Sequence, residues 1–450
     1  MSVDILEMVL SRAQKAGAAQ VDALLIRSNA IETRVRKDEI DFVKQSSERS
    51  LGLRAMIETR DGICTAVTST SDLSTDSLID LVDATANLAK ATAPDPFAGL
   101  PQKEFVDDNE NLELFDENDK LFSVDNHIEE ARTAELAARN HDDRISNSEG
   151  SESSAEFLEI HYANSKDFFG TFSSARHSLF SMPIAKENGS MQTDFWATTA
   201  RKRSALENAE LVGRRAAERA IRRLGAVKVP TCEVPVIFDP LTSRSILSHV
   251  ATCVTGSAVY RKTSFLANKL GDNIANSMLT IIDDGRLKGG LGSRPFDGEG
   301  LPTRRIMIVK KGRLNSFLLD TYSAKKLNLT STGSASRSAS SRPSPAPSNI
   351  WIEPGELPPE KLISEVGNGL YVTSLFGHGF NPTTGDFSRG AAGLWISEGE
   401  ISHPVEEITI AGNLSKMLLS VDGIGNDLLW QGNIAAPTIR ISEMTVAGES

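Results

Sequence analysis

Residues 51–68 read LGLRAMIETRDGICTAVT. Asp61-Gly62 is a dipeptide suited to a two-residue hairpin turn, and it separates two runs of strand character, 51–59 and 63–68. A hairpin here commits the surrounding chain to antiparallel pairing. Working outward, 21–27, 31–35 and 50–57 are rich in branched residues or alternate in polarity. Ahead of them Ile5, Leu6, Val9, Leu10 and Ala13 recur at helical spacing until Gly17. Residues 73–91 return to helical period, which Pro94 and Pro96 end. Helix, antiparallel strands and helix make an α+β unit, assigned to residues 1–100.

The chain has 450 residues, enough for two to four domains at roughly 150 residues each. A middle segment, 101–228, opens with eight Asp or Glu and no Lys or Arg over 104–119, which reads as a solvated acidic linker. Helix is expected over 124–139 and 206–224, and strand over 156–163, 168–181 and 192–199. The second helix carries Arg214, Arg215, Arg219, Arg222 and Arg223, read as a solvated face paired with Glu207, Glu210 and Glu218; contact with nucleic acid is the alternative. The formal charge of −12, from 48 basic and 60 acidic residues, argues against that alternative.

After Pro230 the composition shifts to Gly, Pro and β-branched residues. Strands are expected over 234–238, 279–282, 305–310, 314–320, 370–374, 393–397, 405–410 and 438–446, with one embedded helix over 240–255. The C-terminal domain, 229–450, is therefore expected to be mainly antiparallel β, and the whole chain α+β. Residues 331–348 hold eight serines and read as a long mobile loop.

Three widely spaced cysteines, Cys64, Cys232 and Cys253, form neither a disulfide framework nor a zinc finger and suit a reducing compartment. Asp4 and Glu7 occupy the place where a signal peptide carries Lys or Arg, and no apolar run approaches the roughly 18 residues that span a bilayer. The expectation is a cytoplasmic protein with no membrane partner.

The chemistry-bearing motifs are sparse. His249 and Cys253 lie four residues apart on the 240–255 helix, where both side chains leave one face, but two ligands do not make a zinc site. Packed or hydrogen-bonded residues are the simpler reading. No HExxH, HxH or GxSxG occurs. Gly289-Gly290-Leu291-Gly292-Ser293-Arg294 is glycine-rich but lacks the phosphate-loop pattern. The most unusual segment is FGHGFNPTTGDFSRGAAG, 376–393, with five glycines around His378, Asn381, Asp386 and Arg389. Two readings fit it equally: a surface facing a peptide or partner, or a turn network in which Asp386 caps backbone N–H groups.

NPTTGDFSRGAAG (381–393), PVEEITIAGNL (404–414), IGND (424–427) and MTVAG (444–448) resemble the PmbA (TldE) branch of the TldD/PmbA family. YRKTSFLANKLG (260–271), RPFDGEGLPTRR (294–305), STG (331–333) and WIEPG (351–355) are similar to the same branch, so the resemblance covers most of the chain. It implies paired subunits. The TldD-type partner is a zinc metallopeptidase with a helical HExxxH motif and a further cysteine ligand from its C-terminal β domain. The PmbA-type subunit assembles with it and lacks the full motif. The complex trims or degrades peptides, including modified microcin precursors and an antitoxin; an older name for the family is modulator of DNA gyrase.

Carried over by position, the first histidine slot is His249, the glutamate slot Val250 and the second histidine slot Val254; Cys253 falls one place before that slot, and no cysteine follows it. Base and ligands are missing, so the resemblance implies no catalytic residue, metal or cofactor in this chain alone. Zinc is expected in a TldD-type partner, and this chain is expected to be a non-catalytic subunit that binds peptide. Whether it has any peptidase activity of its own stays open, as does a homodimer in isolation. A second class of function is an independent adaptor engaging a toxin–antitoxin or gyrase-related client, for which the acidic balance suits a basic partner. A divergent enzyme using His249 and Cys253 is a third.

Overall fold

The computed structural model describes residues 2–448 except Lys103, Phe105 and residues 107–109. The chain opens with α1 (Ser2–Lys15), then β1 (Gln20–Arg36), β2 (Glu39–Thr59) and β3 (Gly62–Thr70). Thr59 pairs with Gly62 at the expected hairpin, and Gly62 takes φ +136°. The stretches 21–27 and 31–35 are one continuous strand, because β1 is hydrogen-bonded along most of its length to β2 on one edge and to β4 (Ile145–Asn164) on the other. α2 (Thr75–Lys90) and α3 (Val124–Arg139) lie between β3 and β4 in the chain. β5 (Phe168–Glu187) extends the sheet and pairs with both β6 (Ser190–Thr193) and β7 (Trp196–Ala200), giving seven antiparallel strands. The β1–β4 ladder crosses the boundary drawn at residue 100, so residues 1–228 share one sheet. What changes near residue 100 is the helix layer.

Each layer is explained by its side chains. Leu6, Val9 and Ala13 of α1 and Leu78, Leu81 and Val82 of α2 bury against Val21, Ala23, Leu25, Leu51 and Leu53. α3 and α4 (Ala209–Ile221) cover β4 and β5. They meet through alanines and Gly213, where a Cβ would lie 2.1 Å from the Ala134 carbonyl oxygen.

The C-terminal half begins with β8 (Cys232–Phe238), α5 (Pro240–Cys253) and α6 (Gly256–Tyr260). There follow β9 (Ile281–Asp284), β10 (Arg305–Lys310), β11 (Arg313–Leu314), α7 (Thr321–Leu327), β12 (Ala335–Ser336), β13 (Ser344–Pro345), β14 (Ile350–Ile352) and α8 (Pro359–Ser364). The chain ends with β15 (Asn368–Phe376), β16 (Asp386–Ser397), β17 (Glu400–Asn413), α9 (Leu414–Leu419), β18 (Val421–Ile424), β19 (Leu429–Trp430), β20 (Ile434–Ala436) and β21 (Ile439–Ala447). Two six-stranded sheets result, ordered β11-β10-β9-β14-β20-β19 and β17-β16-β15-β8-β21-β18. Within them β14–β20 and β15–β8 run parallel and the other pairs antiparallel. The molecule is α+β with a β-rich C-terminal half. The embedded helix is α5, which packs against strands of both sheets; α6 to α9 are short helices that sequence periodicity did not announce.

Two sequence expectations are corrected. Residues 331–348 are a strap held against the N-terminal sheet. Arg337 reaches Asp22 at 2.7 Å, Arg342 donates to the Thr65 carbonyl at 2.8 Å, and Gly52 leaves the room that Ala339 fills. The described part of the acidic run is docked as well. Leu112 and Leu114 are buried, and Glu104, Glu110, Glu113 and Asp119 meet Arg304, Arg286, Lys202 and Arg203 of the folded body; Phe105 and residues 107–109 of that run lie outside the described residues.

The halves are also joined by Phe296, whose ring packs among Tyr162, Phe168 and Phe172 over Gly170. Beside it Asp22 ties Arg54 to Arg337, all three buried, with Tyr162 donating to Asp22 at 3.1 Å. Among the described residues no helix is long and apolar enough to cross a membrane.

Candidate functional site

α5 starts cleanly. Asp239 caps it by accepting from the Thr242 N–H at 2.9 Å, and Pro240 occupies the first turn, where a missing N–H costs nothing. Ile246, Leu247, Val250, Ala251 and Val254 face the largest core of the molecule. The glutamate and second-histidine slots of the resemblance, Val250 and Val254, are therefore core positions, 1% and 0% exposed.

His249 lies beside that face. Its imidazole stacks on Phe380 with ring centroids 4.3 Å apart and meets Phe387 edge-on at 6.1 Å. Burial, and secondarily the Arg389 guanidinium, pushes its pKa down to about 4, so it is neutral at physiological pH. Its buried Nε2 has no protein partner. Cys253 is fully buried, its Sγ 3.9 Å from the Pro382 carbonyl oxygen, and burial pushes the thiol up to about 11. An imidazole flanked by phenyl rings and a cation, next to an un-ionised thiol, does not fit a zinc ion. Among the described residues no group of three or more His, Cys, Asp or Glu is placed to hold a metal.

The glycine-rich segment comprises the turn between β15 and β16 and the first residues of β16. Asn381 accepts from Thr383 N–H and Asp386 accepts from Thr384 Oγ1 at 2.6 Å and Asn413 Nδ2 at 3.0 Å. Gly379 lies against the Ser388 carbonyl, where a Cβ would sit 1.6 Å from its oxygen. Asn381 and Asp386 thus serve the turn network, and His378 is exposed at its tip. Arg389 donates to the Phe376 carbonyl at 3.5 Å and reaches out of the turn to Ser245 Oγ on α5 at 2.7 Å.

Arg389 opens onto a groove of about 650 Å³ between the halves of the molecule. The N-terminal half contributes Asp194, Arg219 and Arg223; the C-terminal half contributes Arg244, Ser245 and Ser248 of α5, the end of β15, and residues 431–434. The arginine-rich helix accordingly divides its cations. Arg214 and Arg215 pair with Glu210 and Glu207 on the outside, as the charge pattern suggested. Arg219 is buried between Asp194 at 3.2 Å and Asp239 at 3.4 Å, tying α4 to the cap of α5. Arg244 and the inward turn of Arg219 and Arg223 escaped sequence reading; five arginines within ten residues was the available signal. The 289–294 glycine run is no phosphate cradle: Arg201 donates to the carbonyls of Gly290 and Leu291, and the Gly292 N–H is taken by Asn349.

Profiles described as PmbA/TldA metallopeptidase domain 1, central domain and C-terminal domain match residues 21–89, 117–224 and 231–448. The metalloprotease PmbA of Escherichia coli O157:H7 is 37% identical over 99% of this chain and 96% of its own length. A crystal structure from Bacteroides thetaiotaomicron, of a proposed modulator of DNA gyrase, superposes with a TM-score of 0.90 at 28% identity, covering 99% of this chain and 98% of that one. TldE from Thermococcus kodakarensis shares the fold, with a TM-score of 0.85 at 22% identity over 99% of this chain and all of its own. With three domains matched in order and a relative aligned nearly end to end, this chain belongs to the PmbA/TldD metallopeptidase family.

Proposed function

We propose that this chain is a non-catalytic, peptide-binding subunit of a TldD/PmbA-type zinc metallopeptidase complex, acting in the cytoplasm beside a TldD-type partner that carries the zinc. The observation that carries this reading is the environment of α5. Val250 and Val254 are sealed in the core, and His249 is held neutral against Phe380. Peptide hydrolysis at zinc requires an open coordination position and a base for the bound water. A valine in the base position cannot take that proton. The subunit's own contribution is then to shape a binding surface and dock the partner. Sheet edges and the groove beside α5 are the surfaces with the chemistry to hold an extended chain.

The test is purification of the chain alone and together with a TldD-type subunit, followed by zinc analysis and cleavage of unstructured peptides. The expected result is co-elution, zinc and cleavage only in the mixed sample. One zinc per chain with cleavage by this protein alone would overturn the reading. Recovery of a toxin, antitoxin or gyrase client with no peptidase subunit would favour an adaptor instead.

A further inference from the structure

We propose that the groove beside α5 selects peptide segments bearing carboxylates, either Asp and Glu side chains or a free C-terminus. This rests on the peptide-binding reading above and adds the chemistry of the peptide. Three cations line the groove without a carboxylate partner within 4 Å among the described residues: Arg223, Arg244 and Arg389. Their hydrogen bonds go to uncharged acceptors. Arg223 donates to the Thr193 carbonyl at 2.8 Å, Arg244 to the Gln431 carbonyl at 3.3 Å, and Arg389 to Ser245 Oγ at 2.7 Å. Charge balance makes this arrangement informative. The chain carries twelve more acidic than basic residues, so carboxylates are in surplus over the molecule as a whole. The acidic residue in the lining, Asp194, is 3.2 Å from Arg219, and Asp239 behind it acts on Arg244 only from beyond contact distance, so no carboxylate touches the other three cations among the described residues.

Burial withdraws water from Arg244 and Arg389, which holds both below the usual guanidinium range. A partly dehydrated guanidinium with no carboxylate in contact is poised for one, which its planar fork can grip through two parallel hydrogen bonds. The groove volume is that of sites that enclose a small molecule or short peptide segment.

The backbone favours a peptide over a nucleic acid strand. β15 pairs with β8 through Leu370, Tyr371 and Val372. Beyond Val372 the chain of β8 turns into α5, so Ser374, Leu375 and Phe376 pair with β16 on one side and line the groove, while Thr373 sits at the bulge between Val372 and Ser374 and gives its carbonyl to Arg219. An extended peptide can align with such an edge while its acidic groups meet the arginines. Among the described residues the groove holds no series of rings of the kind that stacks successive bases: Phe195 is already against Phe180 at 5.6 Å, which leaves the single exposed ring of Phe376.

Fluorescence anisotropy on the full chain tests this. The probes are an eight-residue labelled peptide with three glutamates, its Gln-for-Glu isostere, each with a free or an amidated C-terminus, and a single-stranded DNA 12-mer. The acidic peptide is expected to bind about tenfold or more tighter than the isostere at low salt, with the gap closing as salt screens the pair. A gap between Glu and Gln peptides assigns side-chain carboxylates; a gap confined to the free-acid and amide pair assigns the terminus. R223Q and R389Q should each erode the preference several-fold, and R223K and R389K, which keep the charge but lose the two-pronged grip, should fall between the Gln variants and the parent. Equal affinity for all four peptides, or tighter binding of the DNA, would overturn the proposal; because the peptide comparison uses unaltered protein, it decides even where a Gln variant fails to fold. Equal peptide binding leaves the subunit reading standing, whereas binding of no peptide in any arm removes both.

Discussion

Restoring the base and second histidine, by Val250→Glu with Val254→His, is expected to weaken the fold without creating a zinc site. Both valines are almost wholly buried, and each contributes about 1.5–3 kcal/mol by that burial. The new carboxyl would enter a space bounded by Ile246, Leu247 and their apolar neighbours. If it stays neutral, an unsatisfied polar group costs about 1–3 kcal/mol; if it ionises, the cost is several kcal/mol. The two changes share neighbours and will not add fully, so the net loss should be about 4–8 kcal/mol. That is a large fraction of the roughly 5–15 kcal/mol that holds a domain together. Thermal unfolding should move down by about 10 °C or more, and zinc retained after dialysis should stay well below one ion per chain. A variant that melts with the parent and holds one zinc would show that these positions face an open site, and the account of α5 given above would be wrong.

Other outcomes follow from the buried charges. Asp22→Asn leaves Arg54 and Arg337 in the interface with weakened compensation, and should cost about 3–5 kcal/mol in denaturant unfolding and expose the 331–348 strap to protease; unaltered stability and protection would count against the strap as a clamp. Burial raises Asp283 from an ordinary 3.8 to about 8, so the folded chain keeps a proton that the unfolded chain loses between those values. The stability tied to this group is therefore complete below about pH 4 and declines as pH rises to about 8. Relative to the parent, Asp283→Asn should gain about 1.4 kcal/mol per pH unit across that window, and a pH-independent difference would refute it. By NMR the His249 imidazole should titrate near 4, and Arg389→Gln should raise that value; titration near 6.5 in the parent would contradict the stacked, buried placement.

Legibility varied with range. Asp61-Gly62 announced its hairpin because a two-residue turn is decided by the φ angles its own residues accept. α3 and α5 were visible because their caps and apolar stripes lie within one stretch of chain. The short helices α6 to α9 and the two-residue strands carry too few residues to show a period. The 331–348 strap looks mobile in sequence because serine-rich composition carries no information about Asp22, more than three hundred residues away, whose charge holds it.

What the sequence determines by itself is chemistry that depends on residue identity. Valine at 250 and 254 and the absence of a cysteine after 253 are settled without coordinates, as is the α+β character that follows from local period and turn residues. What the tertiary structure alone decides is which groups share a space and a dielectric. His249 becomes a neutral ring because the β15–β16 turn, carrying Phe380, buries it beside Arg389. Arg219 leaves the solvated face because Asp194 and Asp239 lie inward, Arg223 because the Thr193 carbonyl does, and the groove's arginines converge only where two halves of the chain meet. Those outcomes are set by long-range packing and desolvation, which no local pattern of residues encodes.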